Sequence, residues 1–154
     1  MDAFEIGRYF EEFEAGDVIV HSASKTIFES DNNLFSLITM NHHPLHTNSD
    51  YASKEKYGRI VVVGTLVFSL VVGISVPDIS GKAIVNLEYN YIQHLIPVFI
   101  NDTIYARSRI IECIPSKSGG NYGIIDVETT GYNQDKIDVI RFRRRVLVKS
   151  KRTA

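Results

Sequence analysis

The chain has 154 residues, a formal net charge of −1, 44% hydrophobic residues and a single cysteine. That length suits one domain with a real core, the near-zero charge argues against binding nucleic acid by phosphate neutralisation, and the lone Cys113 excludes an internal disulfide. The first residues alternate acidic and aromatic side chains where an export signal would be basic and then apolar, so the expected location is the cytoplasm, with no membrane association.

In chain order, Gly16 to Ile27 alternates and reads as a first strand. Ser30 or Asp31 then caps a helix with Leu34, Phe35 and Ile38 on one face. Residues 41–57 read as irregular or half-helical around Pro44, and Val63 to Ser75 as an apolar helix. Gly64, Thr65, Ser69, Gly73 and Ser75 dilute that run and it is short for a membrane span, so it is expected to be buried. Pro77 to Gly81 breaks it. Strands follow at Ala83 to Ile96, Thr103 to Ile114, Tyr122 to Tyr132 and Asp138 to Lys149, separated by polar turns. Cys113 reads as a small buried residue of one of them. One strand, helices and four consecutive strands describe a single α+β domain over residues 1–154, an antiparallel sheet curled around one helix. A sheet of this kind leaves an edge to cover, so at least a dimer is expected.

The chemistry concentrates in Thr39 to Ala52, which sets Asn41, His42, His43 and His46 around Pro44. Imidazole gives and takes protons near neutral pH, and the proline holds these groups on a stiff, irregular segment where they can converge on a pocket. A metal site from the three histidines lacks any Cys, Asp or Glu at ligand spacing, and Pro44 spoils its geometry; no metal and no redox cofactor is expected.

Read as Thr39-x-Asn41-x-His43-Pro44-Leu45-His46, then Ala52, Tyr57-Gly58 and Val62-Val63-Gly64-Thr65-Leu66, the segment resembles the signature of the MaoC-like, (R)-specific enoyl-CoA hydratases. The likeness extends to a Gly16-Asp17 turn, a helix start from Thr26 to Asp31 and a turn from Pro97 to Thr103. The family motif reads Gly-Asp-x-Asn-Pro-Leu-His, so its catalytic aspartate falls on Asn41 and its asparagine on His43. Those departures, with the Ser75-Val76-Pro77-Asp78 run, are more like the branch acting on branched dicarboxylic acyl-CoAs such as mesaconyl- or itaconyl-CoA. The resemblance implies a hot-dog fold, a homodimer or higher homo-oligomer with an acyl-CoA tunnel between protomers, and a lyase that hydrates an enoyl-CoA or dehydrates a 3-hydroxyacyl-CoA.

On this resemblance His46 is the general base that activates water. Asn41 cannot become an acid, so its role is to orient the water. The second proton then comes from His46 again, from His43, or from nowhere in a protein that only binds acyl-CoA. Gly64, opening the long helix, is the candidate oxyanion donor through its free N–H, with Thr65 beside it. Arg59 and Lys54 are the nearest cations for a second substrate carboxylate, and Arg141, Arg143 and Arg145 are candidates for the coenzyme A phosphate against a plainer role as a solvated strand face. Tyr89, Tyr91 and His94 either line a pocket or fill the sheet. The rival functions are a hot-dog thioesterase, for which Glu29, Asp50 and Glu55 are available carboxylates, and a catalytically silent acyl-CoA binder.

Overall fold

The computed structural model describes residues 5–151. Alternating sequence becomes sheet: β1 (Val18–Val20), β2 (Lys25–Thr26), β3 (Ala83–His94), β4 (Thr103–Pro115), β5 (Tyr122–Tyr132) and β6 (Asp138–Lys149). The path runs β1-β4-β5-β6-β3, with β2 also on β4 and every pairing antiparallel. The sheet does not close, so β3 is an edge strand. The single first strand expected over Gly16 to Ile27 is two short ones, because only Val18–Val20 and Lys25–Thr26 find register on β4. Between them His21 turns inward, its Nδ1 2.7 Å from Asp78 and its Nε2 2.8 Å from the Ser108 hydroxyl.

Helix α1 (Glu29–Ile38) starts before the expected cap. Asp31 lies inside it and accepts the Phe28 N–H at 2.9 Å, so the carboxylate reaches back to the orphan donor. At the other end Met40 takes φ 59°, its N–H donates to Leu37 O, and the Asn41 N–H donates to Ser36 O. This left-handed stop satisfies the last carbonyls of α1 and fixes where the histidine-rich loop begins. Short helices α2 (Pro44–Thr47) and α3 (Ser49–Lys54) follow, capped by His43 and Asn48.

Helix α4 (Gly64–Ser75) lies on the inner face of the sheet. Leu66, Val67, Val71 and Ile74 pack there with Ile27, Val98, Ile104, Val139, Ile140 and Phe142. Its approach is close at Gly131, where an added Cβ would stand 2.6 Å from a Val71 methyl. Helix and sheet therefore meet at a distance that only glycine allows. No helix among the described residues is long and apolar enough to cross a membrane.

Candidate active site

His46 sits on α2, half-buried, because His43 and Pro44 start that helix just before it. The His43 Nδ1 accepts the Leu45 N–H at 3.1 Å, so this imidazole works as a helix cap, its ring 6.0 Å from that of His46. The Nδ1 of His46 lies 2.6 Å from the Val61 carbonyl oxygen. A carbonyl only accepts, so Nδ1 carries the hydrogen and Nε2 keeps its lone pair. That is the tautomer a general base needs.

A cavity of about 320 Å³ brings His46 together with Tyr57, Gly64, Val67, His94 and Val139. Its lining includes no Lys, Arg, Asp or Glu. Gly64 is the first residue of α4 and follows the cap residue Val63. The Val63 N–H is already taken by the Asn32 amide oxygen at 3.0 Å, and the Leu66 N–H by Val63 O. The N–H groups of Gly64 and Thr65 are those the helix geometry leaves without an intrahelical acceptor. The same end carries the positive pole of the helix dipole. An imidazole with a free lone pair and the open N–H end of a helix therefore line one largely apolar cavity.

Asn32, 2% exposed on α1, holds the two parts together. Its Nδ2 donates to the His46 carbonyl at 3.0 Å while its Oδ1 accepts from Val63. His46 also lines a second, polar cavity of about 390 Å³, with Glu29, Ser30, Asn32, Asn33, Thr47 and Ile60.

The other candidates lie elsewhere. Asn41 lines neither cavity, and its backbone is held by the stop of α1. The Thr65 side chain is exposed, and so is His42. Arg59 stacks 3.6 Å over the Phe99 ring, and Lys54 pairs with Asp50 at 2.7 Å. Of the strand arginines, Arg143 and Arg145 clasp Asp126, and Arg141 approaches Asp138 at 3.6 Å. Tyr89 packs on Phe68 and Phe142, and Tyr91 donates to Glu128. Cys113 is partly buried, and burial pushes its thiol up. Asn32 and the Val61 carbonyl had no signal in the sequence, and no described group of His, Cys, Asp and Glu residues is arranged to hold a metal ion.

A curled antiparallel sheet on one apolar helix, with a histidine loop meeting the helix start, defines a hot-dog domain of the MaoC-like class. The chain superposes on a MaoC domain dehydratase from Chloroflexus aurantiacus with a TM-score of 0.91 at 31% identity, over 99% of this chain and 43% of that one. A family model described as mesaconyl-CoA hydratase matches residues 1–154, and the chain belongs to that family. It is 33% identical over 148 residues to the mesaconyl-CoA hydratase of Cereibacter sphaeroides, covering 96% of this chain and 43% of that protein. It is also 33% identical over 112 residues to the (R)-specific enoyl-CoA hydratase of Rhodospirillum rubrum, covering 71% of this chain and 74% of that protein. The chain thus spans less than half the length of the Cereibacter relative.

Proposed function

We propose that the domain adds water to the double bond of an enoyl-CoA, with branched dicarboxylic thioesters such as mesaconyl-CoA in its range, and catalyses the reverse dehydration. The observation that carries this reading is the His46–Val61 hydrogen bond, which leaves a lone pair on an imidazole that lines the cavity holding the start of α4. In the forward direction His46 Nε2 takes a proton from water as the oxygen bonds to the β-carbon. Electron density moves to the thioester oxygen, where the Gly64 N–H offsets it. The imidazolium then returns the proton to the α-carbon, so one residue serves both steps without metal or redox cofactor. The acyl-CoA class of substrate supports a cytoplasmic setting.

In this scheme Asn41 orients the water, a role supported by the motif alone. A loss of tenfold or more in Asn41→Ala, about the scale of one hydrogen bond in a transition state, keeps it; wild-type turnover removes it.

The reading includes a second hot-dog unit, another copy of this chain or a linked domain, seated on β3. Ile84, Leu87 and Ile92 of that edge strand are 52%, 48% and 43% exposed, more apolar surface than an edge facing water normally carries.

One observation favours a second activity: Glu29 and His46 line the same polar cavity, a carboxylate and an imidazole of the kinds a thioesterase uses. Incubation with crotonyl-CoA and mesaconyl-CoA separates the two. Loss of the conjugated enoyl absorbance without free thiol supports the hydratase, release of thiol the thioesterase, and neither change a protein that only binds.

A further inference from the structure

The cavity holds a second imidazole, at the end of β3. An ideal Cβ built on Gly64 would stand 2.9 Å from His94 Cε1 and 3.1 Å from its Nε2, so that edge of the ring rests on the Gly64 backbone. Among the described residues no hydrogen bond, ion pair or ring contact engages the His94 side chain, and it lines the same cavity as His46. The lining side chains with a polar hydrogen are His46, Tyr57 and His94. That of His46 is spent on Val61, and of the other two His94 is the one whose ring rests on Gly64. His94 thus stands beside the Gly64 N–H, one of the two backbone donors open at the start of α4.

We propose that His94 is a catalytic residue that donates a hydrogen bond to the thioester oxygen alongside the Gly64 N–H. The inference rests on the hydratase reading and completes its oxyanion site. A single backbone donor satisfies one lone pair of a developing enolate oxygen, and His94, beside a largely apolar lining, offers a donor for the other. No proton leaves His94 in this role; its N–H only shares one. The role needs the hydrogen on the ring nitrogen that faces the thioester oxygen, and among the described residues no partner holds the side chain in the other tautomer. It also gives a reason for glycine at position 64, since any side chain there would push the ring away.

The test uses two readouts on the intact protein. Sorboyl-CoA, a conjugated dienoyl thioester, absorbs further to the red when its carbonyl is polarised by donors, whether or not it is hydrated. Wild type and His46→Ala are expected to produce that shift on binding, and His94→Ala to lose most of it. In turnover, His94→Ala should lose about a hundredfold in kcat, the scale of one oxyanion donor, by similar factors on crotonyl- and mesaconyl-CoA. His94→Gln, which keeps an N–H, should recover part of both readouts, and its circular dichroism should match wild type. Loss confined to mesaconyl-CoA would make His94 a binder of the substrate carboxylate and overturn the proposal. An unchanged red shift in His94→Ala, or none in wild type, would overturn it too. Failure of wild type to hydrate any enoyl-CoA sinks the hydratase reading instead, while the red shift still decides the role of His94.

Discussion

At the scale of single residues, His46 is defined by its neighbour Val61 more than by its own motif. The carbonyl at 2.6 Å selects one tautomer, and what remains is a nitrogen with a free lone pair. His46→Ala is therefore expected to lower hydration by about a hundred- to ten-thousand-fold, as removal of a positioned base does, with acyl-CoA affinity retained in a binding titration. A second residue-scale consequence lies on the outer face of the sheet. Burial pushes the Asp126 carboxyl up, but hydrogen bonds and charge from Arg143 and Arg145 outweigh this and hold it below the ordinary carboxylate value. A carboxylate with a lowered folded pKa stabilises the fold above the unfolded pKa and loses that contribution as pH falls through the folded one. Asp126→Asn should cost about 1–2 kcal/mol at neutral pH, since both arginines are partly exposed and can turn to water. Urea denaturation should show that gap closing below the ordinary carboxylate range; a gap independent of pH would mean the pair contributes packing alone.

Elements were legible in the sequence where a pattern runs long enough to be local. The alternation of Ile125 and Val127 with Asp126 and Glu128, and the polar turns at each end, place β5 correctly, and the apolar run from Val63 places α4. The first strand was over-read because its pairing depends on β4, far away in sequence. Arg141, Arg143 and Arg145 read as one face of the last strand, and Arg144, of the opposite parity, turns inward, fully buried, and donates to Ser75 at the end of α4. There the helix's own carbonyl end offsets its charge. His46 and Gly64 were visible as site residues through motif and helix start. Asn32 and the Val61 carbonyl were not, since their roles exist only after α1 and α4 meet. At the junction of α1 with the loop, Met40 holds a left-handed conformation that costs an ordinary residue about 1–2 kcal/mol. Met40 also falls where the family motif carries glycine. Met40→Gly should raise stability by about 0.5–1 kcal/mol, the part of that strain left after the glycine's extra unfolded-state entropy, read as a higher denaturation midpoint at unchanged slope.

At the scale of the molecule the sheet is finished on one side only. The β1 edge is three residues long, whereas β3 offers an open backbone edge along twelve residues and ends at His94 in the cavity. A second hot-dog unit on that edge would bury Leu87 and Ile92. Leu87→Lys should then reduce the mass measured by light scattering to that of one chain if the partner is a second copy, and acyl-CoA turnover should fall with it. A chain that is already monomeric in solution would point to a linked domain as the occupant. Inside the domain the amide of Asn32 has a further consequence. Because it grips both the His46 carbonyl and the Val63 N–H, the distance between base and oxyanion site is set like the gap of a caliper. Under the proposed mechanism a thioester oxygen lodged at one jaw lays the α- and β-carbons along the other, so the conjugated carbonyl chooses the carbon that water attacks and this clamp sets how well the imidazole lines up with it.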